Sequence, residues 1–191
     1  MEDIEIEIKV RIENAENLES FLEKEGEFTG EKHQVDEYFT PAHRDFTAPR
    51  PAAEWLRIRT STHGSVAYKL WHYDDQGRSQ YCDEYETEVA DPQSLRKIFM
   101  ALNIKPLITV DKSRRAWRYQ DYEIALDNVV NLGDFVEIEY KGNSPKADPG
   151  TITGEMIAFL KAHNPGRIER DYVGYPFRLL YPDEVTSEII N

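Results

Sequence analysis

The first dozen residues carry a strict alternation that limits the possible folds more than any other feature of the sequence. The residues Ile4, Ile6, Ile8, Val10 and Ile12 are apolar, and every residue between them is charged. A period of two over nine residues is typical of a β-strand, because successive side chains of a strand point to opposite faces. The pattern therefore predicts a strand with one wholly apolar face and one wholly charged face.

Two helices are indicated in the first half of the chain. Asn14 can cap a helix over about 15–25, and Gly26 can end it. A second helix is predicted to begin with Asp91 as its N-cap and Pro92 in its first turn. Each helix has apolar residues along one side, so each is expected to pack on a sheet.

The remaining pattern is mostly that of short strands. A third helix is predicted over about 152–163, stopped by Asn164-Pro165-Gly166. Strand-like runs lie at 35–40, 55–61, 65–72, 80–89, 107–119, 121–127 and 134–141. Because short turns join most of these runs, we expect antiparallel pairing.

The later strands also have charged faces, and their charges are sorted by sign. The basic positions are Arg57, Arg59, Lys69, Lys112 and Arg114, and the acidic ones are Glu84, Glu86, Glu88, Asp127, Glu137 and Glu139. Like charges two residues apart lie about 6.6 Å apart on one face and repel each other. Paired carboxylates suit a divalent cation, and paired arginines and lysines suit phosphate oxygens. The pattern predicts a sheet face that binds a polyanion with its metal, and it leaves open whether the sheet closes. A single such face would more simply be solvated.

Composition excludes several classes of protein. The chain has 191 residues and a formal net charge of −13, which disfavours binding to nucleic acids or to acidic membranes. The single Cys82 excludes a disulfide framework and a cysteine-rich zinc site. The N-terminus lacks the basic and apolar segments of a signal peptide. We therefore expect a cytoplasmic protein of one domain, with no nucleic-acid or membrane partner.

An ordered series of motifs resembles the CYTH superfamily, also called the triphosphate tunnel metalloenzymes. Glu5-Ile6-Glu7-Ile8-Lys9 matches the ExExK motif of that superfamily. The series continues with Leu56-Arg57-Ile58-Arg59, Tyr68-Lys69, Glu84-Tyr85-Glu86, Asp111-Lys112-Ser113-Arg114, Leu126-Asp127 and the stretch from Leu132 to Glu139. ExExK alone is a weak pattern in an acidic chain, whereas the ordered set over residues 4–141 is specific.

The resemblance implies an α+β fold built on a closed, antiparallel, eight-stranded β-barrel flanked by helices. In this family the barrel is the tunnel that holds a triphosphate. One domain would span residues 1–191, with 142–191 forming a C-terminal helix and a packed tail. That tail departs from the shorter ending expected of the family, and its structure is not assigned from the sequence.

The resemblance also implies roles for individual residues. The metal ligands, for Mg²⁺ or Mn²⁺, would be Glu5, Glu7, Asp127, Glu137 and Glu139. The triphosphate would contact Lys9, Arg57, Arg59, Lys69, Lys112 and Arg114. The catalytic residues would be Lys9, Lys69, Glu84 and Glu86. The two glutamates would orient the bases or position water. On chemical grounds, either a second metal or a lysine with a lowered pKa, such as Lys69 or Lys9, would help to activate the nucleophile.

Trp55 is a further candidate, for the organic part of the substrate. It lies two residues before Arg57, so on a continuous strand both side chains share a face. An aromatic ring there could stack on a base or a thiamine ring, or it could cap the barrel as ordinary packing. The sequence leaves both interpretations open.

Three functions are compatible with these residues. The leading prediction is hydrolysis of an inorganic, nucleoside or thiamine triphosphate, because hydrolysis needs only water beside the bound substrate. A class IV adenylyl cyclase, which converts ATP to cyclic AMP and pyrophosphate, is the second. A non-catalytic polyphosphate- or nucleotide-binding module is the third. The partner would be a small-molecule triphosphate, and the protein a monomer or homodimer.

Overall fold

One antiparallel sheet dominates the computed structural model, which describes residues 4–142, 148–163 and 166–190. Its strand segments in this part of the chain are β1 (Ile4–Glu5), β2 (Glu7–Ile12), β3 (Glu27–Pro41), β4 (Glu54–Thr60), β5 (Gly64–Tyr73), β6 (Ser79–Val89), β7 (Ile104–Tyr119), β8 (Tyr122–Val129), β9 (Gly133–Tyr140), β10 (Ile168–Asp171) and β11 (Ser187–Ile189). Their order in the sheet is β1-β6-β5-β4-β3-β7-β8-β9-β2-β10-β11.

The helices of the described residues are α1 (Glu16–Glu25), α2 (Pro92–Ala101), α3 (Pro149–His163) and α4 (Tyr175–Leu180). The predicted start of the second helix is confirmed, because the Asp91 carboxylate accepts a hydrogen bond from the Ser94 backbone N–H at 3.0 Å. The predicted stop of the third helix at Asn164-Pro165 lies outside the described residues. No helix in the described ranges is both long enough and apolar enough to cross a membrane.

The predicted first strand is present but is interrupted at Ile6. Glu5 on β1 pairs with Cys82 on β6, whereas Glu7 on β2 pairs with Glu139 on β9. One residue therefore separates segments that join strands far apart in the sheet order. The sheet must curl strongly for this to happen, and the curl turns one face of its strands inward.

The prediction of a closed, eight-stranded barrel is wrong. The described sheet has two ends and eleven segments, or ten strands if β1 and β2 are counted as one. The physical reason is that the edge of β2 that would have to pair with β6 pairs instead with β10, from Ile168↔Ile12 to Arg170↔Val10. The α+β class and the antiparallel pairing are confirmed.

The outer face of the curled sheet forms the main apolar core. Ile8, Val10 and Ile138 from the sheet pack with Leu22 of α1 and Leu160 of α3, and all five are almost fully buried. These helices thus cover the apolar face predicted for the first strand. The charged face of the same strand consequently lies inside the curl.

The C-terminal tail, unassigned from the sequence, seals one end of that interior. Tyr175 and Phe177 of α4 pack in a cluster with Tyr38, Trp55 and Phe135. These three sheet residues each lie two positions from a charged inward-facing residue, so they continue the same inward face. The interior therefore has a charged part and, at one end, an aromatic floor made of Tyr38, Trp55, Phe135, Tyr175 and Phe177.

Candidate functional site

The charged faces of the strands converge on one pocket of about 220 Å³ inside the curl. Its ionisable lining consists of Glu5, Glu7, Lys9, Asp36, Arg57, Arg59, Lys69, Glu84, Glu86, Lys112, Arg114, Glu123, Glu137, Glu139 and Lys141. Every site residue predicted from the sequence lines this pocket except Asp127, which is buried behind its wall. Acids and bases are almost equal in number, so the pocket is a mixed-charge site rather than a basic one.

Antiparallel register explains how these side chains meet. Lys69 on β5 lies opposite Trp55 on β4 and opposite Glu84 on β6. Lys9 on β2 lies opposite Glu137 on β9. Opposed residues share a face, so a base predicted on one strand is brought beside an acid predicted on the next.

Arg57 and Arg59 of β4 are held by carboxylates. Arg59 donates two hydrogen bonds of 2.7 Å to Asp36, and Arg57 donates one of 3.0 Å to Glu86. Burial alone would raise the pKa of Asp36, but Arg59 and Arg57 lower it to about 2. The Nε atom of Arg57 is buried and has no hydrogen-bond partner within the described residues.

Asp36 is a site residue that sequence reasoning missed. The predicted strand that contains it, over 35–40, offered no second charge on the same face. Only the register of β3 against β4, which places Asp36 opposite Arg59, gives it a partner.

The pKa values of Lys9 and Lys69 are shifted in the opposite direction to the one expected. Lys9 lies 3.0 Å from Glu7 and 3.1 Å from Glu137, and Lys69 lies 2.6 Å from Glu5. Burial alone would lower both lysine pKa values, but the surrounding carboxylates raise them above the ordinary value. These raised pKa values disfavour a lysine base at either position, and the catalytic roles of Lys9 and Lys69 stay predictions.

Asp127 is the centre of a buried cluster in the wall of the pocket. Arg114 donates to both of its carboxylate oxygens at 2.7 Å, Lys112 donates at 3.0 Å, and the Tyr175 hydroxyl donates at 2.9 Å. Burial and the neighbouring Arg114 charge lower the pKa of Lys112 to about 8. Tyr175 also lines the pocket, and no pattern in the sequence pointed to it.

A further group of carboxylates, Glu5, Glu7 and Glu139, lies close together although each has a lysine partner. Burial and the charges of Glu137 and Glu5 raise the pKa of Glu7, although Lys9 opposes the shift. Burial and the charge of Glu5 raise the pKa of Glu139 to about 8, although Lys141 forms an ion pair with it. The Glu5 carboxylate is thus close enough to both Glu7 and Glu139 to contribute to the raised pKa of each.

The same group is the part of the pocket that fits a divalent cation. Among the residues that the structure describes, no three His, Cys, Asp or Glu side chains already surround a common metal position. The donor set is nevertheless suitable, because Mg²⁺ and Mn²⁺ prefer carboxylate oxygens. A divalent cation would also neutralise the mutual repulsion of these carboxylates.

Trp55 faces the same interior as Arg57, as predicted, but it is packed rather than free. It lines the pocket, is 4% exposed, and makes an edge-to-face contact with Tyr38 at 5.7 Å between ring centroids. The Trp55 side chain lies in the aromatic floor, in the same cluster as Tyr175 and Phe177 of α4. These contacts favour packing over stacking on a substrate.

Comparison with known proteins agrees with the resemblance. A relative from Methanocaldococcus jannaschii, provisionally named an adenylate cyclase, is 34% identical over 163 residues, which are 84% of this chain and 90% of that protein. The solved PH1819 protein of Pyrococcus horikoshii OT3 has a TM-score of 0.76 at 24% identity, with 93% of this chain and 99% of that chain covered.

A structure from Hippeastrum is also similar. It is provisionally named an adenylyl cyclase and described as having a dominant triphosphatase activity, and its TM-score is 0.67 at 19% identity, with 96% of this chain and 97% of that chain covered. At such identities the two solved structures show the fold alone. The family model described as the CYTH domain matches residues 3–159, and this chain therefore belongs to the CYTH domain family.

Proposed function

We propose that this protein hydrolyses a triphosphate bound in the charged pocket together with Mg²⁺ or Mn²⁺. One observation carries the proposal: six basic side chains from four strands line the same pocket. They are Lys9, Arg57, Arg59, Lys69, Lys112 and Arg114. A triphosphate carries about four negative charges, and phosphate oxygens are preferred partners of arginine and lysine. The buried Nε–H of Arg57 has no hydrogen-bond partner in the part of the chain that the structure describes and is available to donate a hydrogen bond to a phosphate oxygen.

In phosphoryl transfer the protein mainly aligns the reacting groups and neutralises the charge that develops on the phosphate oxygens. The carboxylate partners hold the bases in place before substrate arrives, so little reorganisation is needed during the reaction. Glu84 and Glu86 contribute to this by holding Lys69 and Arg57. Lys9 and Lys69 stay protonated, so they act as fixed positive charges.

Glu5, Glu7 and Glu139 are the residues proposed to hold the cation. The cation, when bound, would neutralise phosphate charge and lower the pKa of a water molecule. Glu137 and Asp127 were also predicted as ligands, but each is bound by two basic side chains, whereas Glu5 and Glu7 are each closest to one lysine. We assign them the positioning of Lys9, Lys112 and Arg114.

The name of the Methanocaldococcus relative favours an adenylyl cyclase as the second candidate, whereas the Hippeastrum protein, which shares the fold, is described as having a dominant triphosphatase activity. Cyclisation would need the ribose 3′-hydroxyl of ATP aligned with the α-phosphorus and a grip on the adenine. The aromatic floor is filled by packed side chains such as Trp55 and Tyr175, which leaves hydrolysis as the better-supported reaction.

The test is to incubate the purified protein with tripolyphosphate, ATP or thiamine triphosphate, with Mg²⁺, with Mn²⁺ and with EDTA. Phosphate, pyrophosphate and cyclic AMP are assayed separately. Metal-dependent phosphate release is the expected result. Cyclic AMP with pyrophosphate from ATP would select the cyclase, and tight metal-dependent binding without turnover would select a binding module.

A variant pair links the activity to the pocket. Arg57→Gln should lower kcat/KM by about 100-fold or more, because it removes a preorganised donor. Arg96→Gln is the matched control. Arg96 lies on α2 and forms an ion pair with Glu37 at 2.9 Å, and neither residue lines the pocket. Equal losses in both variants would contradict the proposed site.

A further inference from the structure

We propose that Tyr175 is a positioning residue that holds the Asp127, Lys112 and Arg114 cluster in the geometry that binds the triphosphate. This inference rests on the proposed function. Tyr175 lies beyond residues 3–159, the part of the chain that matches the family model. The tail would therefore complete a site whose other members come from the sheet.

The first argument is the coordination of Asp127. Its Oδ1 atom accepts a bond from Arg114 Nε, and its Oδ2 atom accepts bonds from Arg114 Nη2, Lys112 Nζ and the Tyr175 hydroxyl. The Asp127 side chain is fully buried, so solvent cannot replace a lost donor. The tyrosine hydroxyl is the one neutral donor in this set, and it fixes the carboxylate without adding charge.

The second argument is the position of the tyrosine ring. Lys9 Nζ of β2 lies 4.8 Å from the ring centroid, and Lys112 Nζ of β7 lies 5.2 Å from it. The ring thus lies beside two ammonium groups on separate strands, and the negative face of an aromatic ring attracts such cations. One side chain therefore contacts two of the six proposed phosphate-binding bases.

The third argument is that α4 is anchored independently of this hydroxyl. Tyr175 is 4% exposed and packs edge-to-face on Phe135 at 5.0 Å between ring centroids. At the far end of α4, the Tyr181 hydroxyl donates to Thr47 Oγ1 at 3.1 Å. The preceding strand, β10, is paired with β2. Removal of the Tyr175 hydroxyl should leave the helix in place.

The experiment compares Tyr175→Phe with Tyr181→Phe in the full chain. Both variants lose one hydroxyl next to α4, but only the first loses a contact with the cluster. Thermal unfolding is measured for each, with the Kd for tripolyphosphate by titration calorimetry in Mg²⁺, and kcat and KM.

For Tyr175→Phe we expect Kd and KM to rise by about 10-fold, as for loss of a hydrogen bond to a charged group, with a smaller change in kcat. Tyr181→Phe should stay within about twofold of wild type in all three. Unchanged Kd and KM in Tyr175→Phe would overturn the inference, as would equal losses in both variants.

A large fall in melting temperature confined to Tyr175→Phe would also overturn it, because the hydroxyl would then be structural. If the wild type itself neither binds nor hydrolyses tripolyphosphate, the proposed function fails and the inference fails with it. If the wild type and Tyr175→Phe bind tripolyphosphate equally well, the inference about Tyr175 fails but the proposed function does not.

Discussion

Two neighbouring residues on opposite faces of β2, Glu7 and Ile8, are both buried but by opposite chemistry. Ile8, 1% exposed, packs beneath α1 and α3, whereas Glu7, 8% exposed, lies in the pocket beside Lys9. Apolar burial contributes about 25 cal/mol per Å² to folding. Burial of a charge costs hydration, which an ion pair often no more than recovers.

The comparison separates what stabilises this protein from what we propose performs its chemistry. Substitutions on the outer face should lower stability and spare activity. Substitutions on the charged inner face should do the reverse. The aromatic floor faces inward but is packed like a core. A substitution there is therefore the one most expected to lower both stability and activity.

The largest expected effect is that of Glu7→Gln. Loss of this carboxylate from the proposed cation site should lower kcat by about 1,000-fold, since metal-based stabilisation is worth several kcal/mol. Stability should be retained, because Glu7 is crowded by Glu137 and Glu5 and Lys9 keeps Glu137 as a partner. Kinetics and urea unfolding check both parts, with Glu23→Gln on the exposed side of α1 as the control. Full activity in Glu7→Gln would refute the cation assignment.

Trp55→Ala tests the aromatic floor. Loss of a buried, edge-packed tryptophan should lower the free energy of unfolding by about 3–5 kcal/mol. Because the ring packs on Tyr38, we expect similar losses of activity on tripolyphosphate, ATP and thiamine triphosphate. A rise in KM of about 5- to 150-fold on the two organic substrates alone would instead show that the ring stacks on them.

Ile138→Ala is the matching test of the outer face. Ile138 is almost fully buried under the helices, so truncation should cost about 2–5 kcal/mol in urea unfolding. The kcat of the folded protein should change by less than about threefold. Ile98→Ala, at a side chain that is 52% exposed, should cost less than about 0.5 kcal/mol. A selective loss of kcat in Ile138→Ala would show that the two faces are coupled.

The last expected effect is a pH dependence of the metal-free protein. Glu139 has a pKa of about 8 in the folded state, against an ordinary value of 4.5. The folded state holds this proton more tightly, so its stabilising contribution is complete below about pH 4.5 and is lost as pH rises to about 8. The resulting slope is at most about 1.4 kcal/mol per pH unit.

Chemical unfolding at several pH values, with Glu139→Gln as the comparison, isolates this contribution. The variant should lack the extra slope. Saturating Mg²⁺ should flatten the slope in the wild type, because a cation would replace the proton. An identical pH dependence in wild type and Glu139→Gln would contradict the crowding of carboxylates around Glu5.

Much of the candidate site was predictable because strand geometry is local. Alternation placed Glu5, Glu7 and Lys9 on one face of the first strand, and the same argument paired Arg57 with Arg59 and Glu137 with Glu139. The partners of these residues were less accessible. Asp36 meets Arg59 only through the register of β3 against β4, and Tyr175 meets Asp127 across 48 residues of chain.

The sequence by itself determined the antiparallel pairing of strands joined by short turns, the first strand, the start of α2 and the sorting of charge onto one face. These properties depend on neighbours within a few residues, through the two-residue period of strands and the capping of helix ends. They needed no knowledge of the rest of the chain.

Only the tertiary structure decided how the sheet ends, what closes the pocket and which way the lysine pKa values move. The sheet stays open because β10 occupies the edge of β2, and α4 seals the floor from a distant part of the chain. The pKa values of Lys9 and Lys69 are raised because neighbouring carboxylates, most of them on other strands, outweigh the effect of burial. Each outcome is a balance between groups far apart in sequence, and such a balance is set only when the strands have been brought together.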